Sequence, residues 1–177
     1  MKNLKFTFKA WPVITAVTIG LCFLTQWGAK VLFDIELPEQ NQLQVVRAMA
    51  GWNWPFFKVL LMVLVFAPAF EELLFRFCLY KLPTKLIGLF TKSALPAFLI
   101  ALAGSIVFSA AHYPDWVTIK ATGQWAWLPL SNAFLALGFF GLAQCWLYRK
   151  TTWMWCPILN HLLFNLTNLV LLFVVPQ

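Results

Sequence analysis

Long apolar runs separated by short polar stretches dominate the pattern along this chain. Five such runs can be read, at residues 11–33, 54–82, 93–113, 128–148 and 152–175, and the second is expected to end before a proline, Pro83. A run of about 20 apolar residues is long enough to cross the hydrocarbon core of a bilayer as a helix. The pattern therefore predicts an all-α, polytopic transmembrane helical bundle of about five spans.

The most polar part of the chain, residues 34–53, lies between the first two runs. Its apolar residues recur at spacings that suit one side of a helix, namely Leu43, Val45, Val46, Met49 and Trp52. Such a segment, polar on one face and apolar on the other, is typical of a helix lying in the membrane interface. We therefore expect a short interfacial helix in addition to the spans.

The composition supports a membrane environment. Hydrophobic residues make up 62% of the chain and charged residues only 11%, whereas a soluble domain carries about 25% charged residues. So few charges cannot cover a surface that faces water, so the lipid bilayer is the expected partner. With no internal repeat and no low-complexity linker, residues 1–177 are interpreted as a single integral membrane domain.

The net charge of +7 has a simple explanation in the loops. The basic residues lie between apolar runs instead of forming a patch with aromatic partners, which argues against nucleic acid as a partner. The N-terminus, the loop between the second and third spans and the loop between the fourth and fifth share one side. That side holds eight lysines and arginines, against four on the other. The positive-inside rule then predicts a cytoplasmic N-terminus. The small size of the chain favours a bacterial protein, so the expected location is a bacterial inner or plasma membrane.

Three ionisable residues interrupt the second run: Glu71, Glu72 and Arg76. Placing each of these side chains at the centre of a span costs roughly 2.5–3.5 kcal/mol of insertion free energy. Each is therefore expected to have a charged partner, to contact water or to serve a function. Glu72 and Arg76 are four residues apart, which places them on one helix face and predicts an ion pair. Glu71 is rotated by about 100° from Glu72 and can face another direction. One carboxylate would then be structural and the other chemical, although a buried salt bridge that only fixes packing is an alternative.

Both histidines of the chain lie in or beside spans. His112 ends the third run, on one face with Ser105, Phe108 and Ser109 by three- and four-residue spacing. His161 in the fifth run shares a polar stripe with Asn165 and Asn168. Taken singly, these features can be explained by an interfacial position or by hydrogen bonds between helices.

Taken together, the polar residues form a set that suits hydrolysis. A carboxylate or an imidazole can deprotonate water as a general base, and histidine and asparagine can donate hydrogen bonds to a developing oxyanion. No cofactor is firmly predicted, because the chain has no His-Glu-x-x-His zinc motif. Zinc remains possible, since two histidines and two glutamates could bind it.

Two other classes of function use the same residue types. A membrane protein that only binds a membrane-active peptide would keep the polar cluster for structure. A small proton-coupled transporter would use glutamate and histidine as a relay, but the chain shows no paired halves or repeated broken helices.

These residues lie at different predicted depths in their spans. Glu71 is about nine residues, or ~14 Å, from the cytoplasmic end of its span, whereas His112 lies near the outer end of its own. The helices must therefore kink, tilt or shift for the side chains to meet. Pro68, three residues before Glu71, is the expected place of a kink.

These residues, in this order, resemble the CPBP family, which comprises the type II CAAX prenyl proteases and membrane proteins of bacteriocin processing or self-immunity. The family pattern has two adjacent glutamates followed by an arginine, then a phenylalanine and a histidine in one helix, then a histidine and an asparagine in another. Here these are Glu71, Glu72 and Arg76, then Phe108 and His112, then His161 and Asn165. The motifs span residues 68–168, within a family-like core at about residues 54–175.

The resemblance implies an all-helical intramembrane endopeptidase that cleaves a membrane-associated peptide or protein. By analogy, Glu71 would be the general base and His112 would help to activate the water. His161 and Asn165 would form the oxyanion hole, and Arg76 would hold the second glutamate. The family is also described as metalloproteases, so the resemblance leaves zinc open, and it includes bacteriocin-immunity proteins, which keeps a non-enzymatic binding role as the alternative.

Overall fold

Helices form all the regular structure in the computed structural model, which describes residues 2–34, 46, 48–51, 53–112 and 132–174. Five long helices run through these residues. They are α1 (Lys2–Phe33), α2 (residues 54–87), α3 (Ala94–Ala111), α4 (Asn132–Thr151) and α5 (Trp155–Val174). The predicted all-α bundle is confirmed.

The helices present an apolar surface to their surroundings. Three are long and apolar enough to cross a membrane, at Lys2–Leu32, Ala94–Ala111 and Trp155–Val174, and α2 and α4 correspond to the other two predicted spans. Large apolar side chains stay exposed along these helices, among them Phe23, Trp27, Leu99 and Val170. An apolar surface of this extent needs lipid around it, so the chain is an integral membrane protein.

The ends of the helices differ in places from those predicted. α1 begins at Lys2, well before its apolar run, since lysines are good helix formers on the water side. The expected end of α2 before Pro83 is wrong, because the helix continues to Ile87. Pro83 comes just after π-helical turns, and such local adjustments let a membrane helix accommodate a proline. α4 ends where Thr152 adopts a left-handed conformation, with φ of 55°.

Helix α2 alternates between two kinds of helical turn. α-Helical segments at Trp54–Leu61, Ala67–Glu72 and Leu82–Ile87 are separated by π-helical segments at Met62–Phe66 and Leu73–Lys81. Each π-helical turn bonds five residues apart and so changes the direction of the side chains that follow. The irregularity expected at Pro68 therefore takes the form of π-helical turns on both sides of the segment that carries it.

Helix α4 packs against α1, α3 and α5. It lies close to α3 at Gly141, where a Cβ atom would lie 3.0 Å from Cβ of Ser105. Next to this contact a buried apolar cluster joins all five helices: Ile14, Phe75, Phe108, Leu137, Phe140 and Phe164. This cluster forms the base on which the polar residues of α2, α3 and α5 meet.

Most of the expected interfacial helix at residues 34–53 lies outside the described residues, as does residue 113 at the end of the third run. Val46 is described, is helical and is only 1% exposed. The interfacial position of the whole segment stays a prediction.

Candidate active site

The buried ion pair predicted within α2 is present. Nε of Arg76 donates to Oε2 of Glu72 at 2.9 Å, and both side chains are 0% exposed. The carbon at the centre of the guanidinium lies 5.1 Å from the centre of the Phe108 ring, a cation–π distance. The two residues thus hold each other inside the bundle, on one face of α2 as the four-residue spacing requires.

Glu72 is also held from two other helices. Its Oε1 lies 2.9 Å from Nδ1 of His161 on α5 and accepts a longer hydrogen bond of 3.4 Å from Nε2 of Gln144 on α4. Because a carboxylate only accepts, the proton of this His161 contact belongs on Nδ1. Glu72 therefore has a structural position, with each oxygen engaged.

Glu71 faces a different set of partners, as its rotation on the helix predicts. Its Oε2 lies 3.3 Å from Nε2 of His112 and 3.8 Å from Nε2 of His161. Among the described residues, Glu71 forms no ion pair with Arg76, which is paired with Glu72 instead. The two adjacent glutamates are thus separated into one that is held and one that faces two imidazoles.

Both imidazoles present the same atom to Glu71. Nδ1 of His112 lies 2.8 Å from the carbonyl oxygen of Phe108, and a carbonyl only accepts, so Nδ1 carries the hydrogen. In each ring the hydrogen bond at Nδ1 leaves Nε2 directed at Oε2 of Glu71. Oε2 of Glu71 is itself buried and has no hydrogen-bond partner among the described residues, so it can accept a hydrogen from a water molecule.

A small cavity of about 40 Å³ lies beside this cluster. Its polar lining is His112, His161, Asn165 and Asn168, and Val46 is among its apolar lining residues. A water molecule needs about 10–15 Å³ of such space and two to four polar partners. The cavity therefore has the volume and the hydrogen-bonding groups to hold water beside His112 and His161, the two residues that face Glu71.

Asn165 is tied to the backbone of α2. Its Nδ2 donates to the carbonyl oxygen of Val63 at 2.9 Å. In this π-helical segment the N–H of Ala67 bonds to Met62, and the N–H that would reach Val63 belongs to residue 68, which is a proline. Pro68 thus leaves the Val63 carbonyl without a helical partner, and Asn165 supplies one.

Two amides that the sequence analysis did not select complete the network. Gln144 is fully buried and donates to the carbonyl oxygen of Pro157 at 3.1 Å as well as to Glu72. Nδ2 of Asn160 donates to Oε1 of Gln144 at 3.1 Å. The sequence could have indicated Gln144, because it is a lone glutamine within the apolar fourth run and a polar side chain inside a span usually has a polar partner.

The residues that the sequence leaves open as zinc ligands are Glu71, Glu72, His112 and His161. Within the described ranges, no three histidine, cysteine, aspartate or glutamate side chains form a group that could hold a metal ion.

Comparison with known proteins identifies one family. The model of the family described as Type II CAAX prenyl endopeptidase Rce1-like matches residues 52–167, more than half of the chain. The matched range includes Glu71, Glu72, Arg76, His112, His161 and Asn165. No curated protein and no solved structure matched the chain in the same comparisons.

Proposed function

Because this chain belongs to the family of type II CAAX prenyl endopeptidases, we propose that it hydrolyses a peptide bond in a membrane-associated peptide or protein. The nucleophile would be a water molecule in the cavity that His112 and His161 line. The observation that carries the proposal is the convergence of Nε2 of His112 and Nε2 of His161 on the same oxygen of Glu71, at 3.3 and 3.8 Å.

Glu71 suits the role of general base because it is the carboxylate that the ion pair leaves unengaged. In the first step the water oxygen bonds to the carbonyl carbon of the substrate, and the water proton passes to the Glu71 carboxylate. In the second step the tetrahedral intermediate collapses, the carbon–nitrogen bond breaks, and Glu71 returns the proton to the leaving nitrogen. His112 orients the water and shares the proton through Nε2.

His161 and Asn165 suit stabilisation of the oxyanion. Nδ1 of His161 is committed to Glu72, so a hydrogen bond from Nε2 to the oxyanion requires that both ring nitrogens carry hydrogen. Asn165 uses one N–H on the Val63 carbonyl and has a second N–H on the same nitrogen. Both residues line the cavity, which is where donors to a developing oxyanion are needed.

The test compares variants in cells at matched expression. Wild type, Glu71→Gln and His112→Ala are compared by mass spectrometry of membrane and secreted peptides. Asp34→Asn is the matched control, because Asp34 is an 88% exposed carboxylate outside the cluster with φ of 52°, which asparagine tolerates. Loss of a general base lowers a rate by about 10²- to 10⁴-fold.

We expect cleaved peptides in wild type and Asp34→Asn that are missing in Glu71→Gln and His112→Ala. If all four proteins fold and give the same peptides, catalysis at this cluster is refuted. The alternative is a non-enzymatic peptide-binding or bacteriocin-immunity protein. It would be supported if cells that express Glu71→Gln resist a membrane-active peptide as well as cells that express wild type.

A further inference from the structure

A second and larger cavity, of about 460 Å³, lies between α3 and α4. None of its lining residues belongs to the polar cluster around Glu71. Its volume falls within the range of about 300–1,000 Å³ that is typical of small-molecule sites. This cavity is therefore separate from the one beside the polar cluster.

The cavity results from the way in which α3 and α4 pack. The two helices run antiparallel and touch closely at Ser105 and Gly141. The cavity lies beyond this contact, towards the start of α3 and the end of α4, and its lining includes Ala97, Ala101 and Ala143. These side chains are too short to fill the space between the helices, so a volume remains open there.

The inner wall of the cavity is apolar and buried, and its rim is exposed. Ile14 and Ala101 are buried in the wall, whereas Phe98 and Trp146 on the rim are 54% and 45% exposed. An apolar cavity does not favour water. For a cavity that opens to the outer surface of a membrane bundle, the available apolar occupant is a lipid chain.

The rim also carries a positive charge. Arg149, in the last turn of α4, lines the cavity and is exposed. Tyr80, which also lines it, lies within electrostatic range of Arg149. Arg149 belongs to the group of loops and helix ends that is richer in lysine and arginine and is predicted to face the cytoplasm. Basic residues between helices on that side of a membrane suit the head groups of anionic lipids.

We propose that this cavity binds one acyl chain of an anionic phospholipid, with the lipid phosphate at Arg149. The alanines provide the space for the chain, and the cation selects the head group. Lys150, the next residue along the chain, does not line the cavity. The proposal therefore predicts that two neighbouring cations have different effects on lipid binding.

The experiment is native mass spectrometry of the purified full chain released from neutral detergent. Phosphatidylglycerol and phosphatidylcholine with identical acyl chains are the two probes. Arg149→Gln is compared with Lys150→Gln, which removes the same charge one residue away. Ala97→Phe, which fills the cavity from α3, is compared with Leu95→Phe, an exposed position that does not line it. Circular dichroism and thermal unfolding confirm that each variant folds.

We expect wild type to bind phosphatidylglycerol about fivefold more tightly than phosphatidylcholine, the effect of one cation at a lipid head group. Arg149→Gln should abolish this preference, and Lys150→Gln should preserve it. Ala97→Phe should weaken binding of both lipids, and Leu95→Phe of neither. Equal binding of the two lipids by wild type, equal effects of Arg149→Gln and Lys150→Gln, or unchanged binding by Ala97→Phe would each overturn the proposal.

Discussion

Removing the cation of the buried Glu72–Arg76 pair should strongly destabilise the bundle. In Arg76→Met a side chain of similar length replaces the guanidinium, and Glu72, which is 0% exposed, loses its bond of 2.9 Å. Breaking a buried pair from one side costs about 3–5 kcal/mol, because an uncompensated charge is left inside. The contacts of Glu72 with His161 and Gln144 remain, but two hydrogen bonds do not replace a charged partner.

The double variant Glu72→Gln/Arg76→Met isolates this cause. It removes both charges, so it should recover most of the loss. Lys30→Met is the matched control, since Lys30 and Asp34 form an exposed pair with the same four-residue spacing and a distance of 2.8 Å. An exposed pair is worth about 0–1 kcal/mol.

The assay is equilibrium unfolding in mixed micelles of a neutral detergent and dodecyl sulfate, followed by circular dichroism. The reasoning would be refuted if Arg76→Met lowered the free energy of unfolding by no more than Lys30→Met does. A double variant that is less stable than Arg76→Met would refute it too, because the cost would then not come from the unpaired charge.

Two further predictions concern contacts between helices, and the same unfolding assay checks both. Asn165→Leu leaves the Val63 carbonyl without its donor and should cost about 1–3 kcal/mol; an unchanged free energy of unfolding would show that this carbonyl finds another partner. Gly141→Ala should cost about 1–3 kcal/mol, since its Cβ would lie 3.0 Å from Cβ of Ser105. Gly138→Ala, with nothing within 4 Å of the added Cβ, should instead gain up to about 1 kcal/mol, and equal effects of the two alanines would contradict this account.

The parts of the site that follow from helical periodicity could be predicted from the sequence. Glu72 and Arg76 pair because four residues bring two side chains to one helix face, whatever surrounds the helix. The different direction of Glu71 follows from the same geometry. Both depend only on α2 being a helix, which its long apolar run indicates.

The parts that depend on packing between helices could not be predicted in this way. Gln144 reaches Glu72 only because α4 and α2 come together with this offset, and no spacing along the chain encodes it. The continuation of α2 beyond Pro83 was missed because the rule that proline ends a helix assumes α-helical turns. Here a π-helical segment precedes Pro83, and such local adjustments let a membrane helix continue past a proline.

Pro68 links the irregular turns of α2 to the position of Glu71. A proline at this place leaves the Val63 carbonyl free, and Asn165 binds it. One turn earlier on α5, His161 binds Glu72. The two bonds therefore attach α5 to α2 on either side of Glu71, at Val63 before it and at Glu72 just after it. Because both bonds come from one face of α5, they fix how α2 and α5 slide and rotate against each other, and this fixes the distance from Glu71 to Nε2 of His161.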